Sequence, residues 1–152
     1  MKITAQEEYG LRCLLQLART NPSELVSVKE IALKEGLSHA YVEKLLRLLG
    51  KSELVHSVRG VKGGYVLNRP PSQMTLREVV GALGGMKTMD HICHQFTGRE
   101  DACVHFTDCG IRSAWSGLTT HINRFLEETT LDRLLTGEGA ASELIANRLR
   151  RF

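Results

Sequence analysis

The sequence predicts a mainly α-helical fold carrying one small two-stranded β-hairpin. Three observations predict it. Apolar residues recur at helical spacing in several separate stretches of the 152-residue chain. Capping signals stand ahead of them, as in Ser27-Val-Lys-Glu30 and Thr75-Leu-Arg-Glu78. One pair of short strand-like runs, Leu54–Val58 and Tyr65–Leu67, flanks a glycine-rich turn.

Residues 5–19 form the first expected helix. Leu11, Leu14, Leu15 and Ala18 fall at i, i+3, i+4 and i+7, and Asn21-Pro22-Ser23 ends the run. Glu7 and Glu8 are first-turn acids, favoured there by the helix dipole. Cys13 lies among leucines and reads as a small buried apolar residue. Ser27 caps the next helix, which carries Val28, Ile31 and Ala32, and Gly36 can close it in a left-handed conformation. Ser38 caps a third, with Val42, Leu45, Leu46 and Leu49 inside. Two short helices joined by Gly36-Leu37-Ser38 have the geometry of a helix-turn-helix. The second would expose His39, Tyr41, Glu43, Lys44 and Arg47, and in such motifs its N-terminal part enters the DNA major groove. An ordinary helical hairpin would read the same from this segment alone.

The hairpin narrows the choice. Arg59-Gly-Val-Lys-Gly-Gly64 joins the two strand-like runs, and its glycines permit backbone conformations closed to other residues. Arg59 and Lys62 are placed to reach phosphate. A helix-turn-helix followed at once by a basic β-hairpin is a winged helix. Ser38, His39, Tyr41, Glu43, Lys44, Arg47, Arg59, Lys62 and Gly63 are the candidate DNA-contacting residues.

Asn68-Arg-Pro-Pro-Ser72 reads as a hinge-like break. Thr75 opens a helix with Val79, Val80 and Leu83, stopped by Gly84-Gly85. Cys93 to Cys109 follows, spaced C-x9-C-x5-C, with His91, His94 and His105 in or beside it. No apolar period runs through it, so its shape must come from something other than a packed core, and a metal centre could supply that. From Cys109 a long helix is expected. Its Ile111, Trp115, Leu118, Ile122 and Phe125 are spaced 4, 3, 4, 3, a heptad seam suited to a second subunit, with packing within the chain as the alternative. Thr129-Thr130 ends it, and Leu131, Leu134 and Leu135 dock back. The chain thus divides into a DNA-binding domain (1–83), a cysteine loop (84–109), a dimerisation helix with docking segment (110–135) and a tail (136–152).

Composition supports this division. Residues 1–80 carry 12 Lys and Arg against 8 Asp and Glu; residues 81–152 carry 8 against 9. Lys44, Arg47, Lys51, Arg59, Lys62 and Arg69 face only Glu53 across 44–69, an electrostatic footprint for nucleic acid. No apolar run is long enough to span a bilayer, and the start Met1-Lys-Ile-Thr-Ala-Gln-Glu-Glu8 has no apolar signal region, so a cytoplasmic protein is expected. In that setting four cysteines point to metal or redox chemistry rather than to a disulfide framework.

Met1-Lys-Ile-Thr4, Tyr9-Gly-Leu-Arg12, Gly36-Leu-Ser-His-Ala-Tyr41-Val-Glu43 and Val58-Arg-Gly-Val-Lys-Gly-Gly-Tyr65 together resemble the IscR/NsrR/RirA family of bacterial winged-helix repressors. The three-cysteine loop and the Trp115 helix ending Thr129-Thr-Leu-Asp132 extend the resemblance over roughly residues 1–135. It implies a homodimer that binds operator DNA and holds an iron–sulfur cluster, [2Fe-2S] or [4Fe-4S], on Cys93, Cys103 and Cys109 plus a fourth ligand. In IscR that ligand is a histidine three residues after the last cysteine; here the position is Arg112. In NsrR-like members an acidic residue near the N-terminus of the other subunit serves, and the matching position is Glu8. His94 and His105 are local rivals, and water, a small thiol or no fourth ligand are the remaining alternatives.

Thiolates suit iron–sulfur clusters, zinc and copper(I). The paired C-x2–4-C spacing usual for structural zinc is absent, though zinc and a thiol–disulfide switch remain alternatives. A non-cysteine fourth ligand would make the site labile, which is useful for sensing oxidant, nitric oxide or cluster supply. No phosphate-binding glycine loop or nucleophile elbow is present, so an enzyme is not expected. The rival reading is a cluster-free regulator of this fold that acts through a protein partner.

Overall fold

A computed structural model of the chain describes residues 3–85 and 93–135. Helices α1 (Ala5–Ala18), α2 (Val28–Glu35) and α3 (His39–Lys51) precede strands β1 (Val55–Val58) and β2 (Gly64–Leu67). A 3-10 turn (Pro71–Gln73), α4 (Leu76–Ala82), the long α5 (Arg112–Glu128) and a second 3-10 turn (Leu131–Leu134) follow. The strands pair antiparallel, Val55 opposite Leu67 and Val58 opposite Gly64. The fold is mainly helical with one two-stranded sheet, the winged-helix arrangement the sequence predicts.

Helix starts follow the capping chemistry. Thr4 and Glu7 form a reciprocal box at α1: the Glu7 N–H donates to Thr4 Oγ1, and the Thr4 N–H donates to the Glu7 carboxylate at 2.7 Å. Thr75 and Glu78 do the same at α4. Burial pushes the Glu78 carboxyl up, but hydrogen bonds from Thr75 and Arg69 outweigh it and leave its pKa lowered. At α2 only half of the expected box forms. The Glu30 N–H donates to Ser27 Oγ, but the Glu30 carboxylate turns to Lys34, one turn on, at 2.8 Å. Gly36 closes α2 at φ +65°, as expected.

The core gathers Leu14 of α1, Ile31 of α2, Leu45, Leu46 and Leu49 of α3, and Leu54, Met74, Leu83 and Leu131, all essentially inaccessible. Burying each contributes roughly 1.5–3 kcal/mol. The stripe of α1 that is fully buried is Gly10, Cys13, Leu14 and Leu17; the predicted Leu11, Leu15 and Ala18 pack at its edge. Gly10 admits Leu83, whose Cδ2 would lie 2.3 Å from a Cβ there.

Two segments differ from expectation. Residues 68–72 are pinned rather than hinge-like: the Asn68 side chain joins His56 to the Glu53 carbonyl, and Arg69 pairs with Glu78 at 2.6 Å. The long helix starts at Arg112, not at Cys109. Its far end is clasped to the winged-helix core. The Leu131 N–H donates to the Met74 carbonyl at 2.9 Å, Thr75 bridges Thr130, and Arg77 pairs with Glu127 at 3.2 Å. His91 and the tail 136–152 lie outside the described residues.

Candidate DNA-reading face and sensor loop

α3 begins where Ser38 Oγ accepts the Tyr41 N–H at 3.3 Å. From that first turn His39, Glu43, Lys44 and Arg47 are exposed, as predicted, with Glu43 and Arg47 paired at 3.3 Å. Tyr41 is a correction. It is half-buried and stands edge-on to Tyr9, with ring centroids 6.1 Å apart at 81°. Aromatic pairing with α1 therefore removes much of its ring from the open face. Behind Tyr9, the Arg12 guanidinium lies 5.5 Å from the ring centroid. Its Nε donates to Glu35 Oε2 at 2.6 Å, and its Nη2 donates to the Glu35 carbonyl at 3.3 Å. Gln16 donates to the other Glu35 oxygen. The hydrogen bond and charge of Glu35 hold Arg12 above its ordinary pKa.

The wing presents Arg59, Val61 and Lys62 to solvent. Neither cation makes an ion pair among the described residues. The turn closes with the Gly63 N–H donating to the Gly60 carbonyl at 2.9 Å, Gly60 having φ +135°. A Cβ on Gly63 would stand 2.4 Å from the Val58 carbonyl oxygen, so the tight turn itself requires this glycine. Val26 adds one more rung to the wing base, exchanging both backbone hydrogen bonds with Tyr65 at 2.9 and 3.0 Å. That rung ties the wing to the segment entering α2.

Residues 93–95 are helical, and the chain is irregular from there to α5. The Phe106 N–H donates to the Cys103 carbonyl at 3.0 Å, and the Arg112 N–H donates to that of Cys109 at 3.2 Å. The Arg112 side chain turns back, donating to the Phe106 carbonyl and covering its ring at 5.6 Å. Arg112 thus braces its own loop. Cys93, Cys103 and Cys109 are free and partly exposed. Glu8, His94 and His105 are exposed. Among the described residues no three His, Cys, Asp or Glu side chains stand together as a metal site. Thiolates are soft donors, so their chemistry suits a soft metal centre. Cys13, by contrast, is fully buried in the core, and burial raises its pKa to about 11.

No residue of α5 is buried. Ile111, Trp115, Leu118 and Phe125 are exposed to between 37% and 65%, and Ile122 is half-buried, so the predicted seam lies largely uncovered in the single subunit.

Residues 3–137 match the family model for Rrf2, described as an iron-dependent transcriptional regulator. The chain belongs to the Rrf2 family. It is a DNA-binding transcriptional regulator, not an enzyme, and the resemblance read from its motifs is confirmed. Among Rrf2 relatives it is 33% identical to protein rrf2 of Nitratidesulfovibrio vulgaris, over 89% of this chain and 87% of the other. It is also 33% identical to the transcriptional regulator IscR of Vibrio atlanticus, over 89% and 75%. Among solved structures, CymR of B. subtilis, a global cysteine regulator, superposes with a TM-score of 0.71 at 29% identity, covering 90% of this chain and 97% of CymR. IscR of T. potens does so at 0.70 and 29%, covering 90% and 87%. Among the described residues no helix is long and apolar enough to cross a membrane.

Sequence reasoning missed the Tyr9–Tyr41 pair, the Arg12–Glu35 pair, the Val26 rung and the Arg112 brace. Only Tyr9-Gly-Leu-Arg12 carried a signal, and as a motif rather than as a contact.

Proposed function

We propose that this Rrf2-family regulator is a homodimer whose α3 and wing read an operator, and whose affinity is set by an iron–sulfur cluster on Cys93, Cys103 and Cys109. One observation carries the reading. Three free, partly exposed thiols occupy a loop without a core, and that loop leads straight into a helix with an uncovered apolar seam. The family's description as iron-dependent supports it. A bound cluster would supply redox and ligand-exchange chemistry. The chain's own contribution is to fix three points of the loop through thiolates and to admit a fourth donor. Glu8 of the partner subunit is the favoured donor, with His94 and His105 as local alternatives. Acting on DNA, the protein works in the bacterial cytoplasm.

A thiol switch is the second reading. Among the described residues no three His, Cys, Asp or Glu side chains group as a metal site, and CymR, whose B. subtilis structure covers 90% of this chain, has also been solved in an oxidised form from Staphylococcus aureus. Anaerobic reconstitution with iron and sulfide analysis separates the two. A coloured protein that loses its absorbance in Cys103→Ala supports the cluster; Glu8→Ala then gives a more labile or altered spectrum if Glu8 is a ligand. A colourless, iron-free protein with all three loop thiols reduced overturns the cluster. In that case an oxidant-dependent change in DNA affinity would establish the switch.

A further inference from the structure

We infer that Arg12, clamped between Glu35 and Tyr9, is a positioning residue that sets the angle of α3 for its operator. The inference rests on the reading of α3 as the recognition helix. Four side chains form one line across three helices: Glu35 ends α2, Arg12 and Tyr9 lie on α1, and Tyr41 stands in the first turn of α3. Each link is a specific contact. The Glu35 side chain is only 7% exposed, and its carboxylate is satisfied by Arg12 and Gln16. Such a sheltered carboxylate stripped of its cation is costly, which favours a single arrangement.

The same guanidinium reaches the Glu35 backbone carbonyl, at the last residue of α2 and just before the Gly36 turn. It therefore fixes both the charge and the helix end. Its central carbon lies over the Tyr9 ring, and Tyr9 meets Tyr41 edge-on. The Tyr41 N–H is the group that Ser38 caps, so shifting Tyr41 shifts the turn from which His39, Glu43 and Lys44 project. The turn between the two helices is thereby held from outside, by α1. Gly36, left-handed with open space around its Cβ position, adds no packing of its own there.

Arg12 is 42% exposed, so a direct phosphate contact is the competing role. Salt dependence separates the two. The full chain is titrated with its operator, selected from a random library, and with an unrelated duplex, across a salt series. Arg12→Lys keeps the charge but loses the planar fork. It should weaken operator binding roughly fivefold to tenfold while leaving the unrelated duplex within about twofold and the salt slope unchanged. Tyr9→Leu should give the same pattern without altering any charge. The inference is overturned if Arg12→Gln weakens both duplexes equally and flattens the slope by about 0.9 per protomer, the signature of a phosphate contact. It is equally overturned if Arg12→Lys and Tyr9→Leu both keep the full operator preference. Lys44→Ala is the control. If it too leaves operator affinity unchanged, the reading of α3 fails; if it alone weakens binding, only the positioning role fails. Thermal melts check folding, and Glu35→Gln, which keeps the side chain's shape, replaces any variant that does not melt cooperatively.

Discussion

The backbone N–H of Leu76 donates to the carbonyl of Thr129 at 2.8 Å, joining the first residue of α4 to the residue that ends α5. With the Leu131–Met74 bond it makes a two-bond clasp, sealed by a Leu131 side chain that is wholly inaccessible. The long helix is thus attached to the winged-helix core at its C-terminal end through backbone and core together.

Removing the seal should loosen that attachment. Leu131→Ala leaves a cavity beneath the clasp and should cost about 2–5 kcal/mol. Urea denaturation read by circular dichroism would measure it. A loss under about 1 kcal/mol would mean the site collapses around the cavity and the side chain does not hold the clasp.

The exposed seam on α5 predicts a subunit contact. Leu118 is 48% exposed in the single subunit and central to the Ile111–Phe125 spacing. Leu118→Glu would place a charge from each subunit in an apolar interface, and sedimentation should then find monomers. An intact dimer in this variant would remove the seam from the interface.

Lys62 projects from the wing without an ion pair among the described residues. If it meets phosphate, Lys62→Ala should flatten the slope of log K against log salt by about 0.9 per subunit, roughly 2 per dimer, with operator preference preserved. An unchanged slope excludes Lys62 from the phosphate contacts.

The cysteines should divide into two classes. Cys93, Cys103 and Cys109 are partly exposed, whereas Cys13 is buried with its thiol pushed up to about 11. An aromatic disulfide reagent at pH 8 should label the metal-free folded chain at the three loop thiols, and at Cys13 only after unfolding. The same shift links to stability. Between the ordinary value of 9.0 and about 11, the unfolded chain releases the Cys13 proton while the folded chain retains it. The unfolded state then binds fewer protons, and the Cys13 contribution makes stability fall as pH rises through that window. Cys13→Ala should remove this part of the alkaline loss. An unaltered pH profile would assign it to other groups.

Local chemistry was readable from the sequence where one residue's neighbours in the chain decide its fate. Ser38 caps, Gly36 turns left-handed, and Val42, Leu45, Leu46 and Leu49 face inward because spacing alone dictates it. The winged-helix order was legible for the same reason. Errors arose where two partners compete or where distant residues meet. Glu30 had Ser27 behind it and Lys34 ahead, and the pattern does not say which wins. Tyr41 follows the exposed period of α3, yet α1 supplies Tyr9 to cover it, a contact spanning 32 positions of sequence. For the cysteine loop, spacing gives the identity of donors but not their distances. Among the described residues no three His, Cys, Asp or Glu side chains group as a metal site.

The clasp makes α5 a cantilever. Its 17 residues span about 25 Å at 1.5 Å per residue, fixed at Thr129 and carrying Cys109 just beyond the other end. On such an arm, a rotation of about 10° at the fixed end corresponds to a displacement of roughly 4 Å at the tip. If the proposed sensing loop controls the reading head, a shift of one or two bond lengths at that tip would correspond to a few degrees at the clasp.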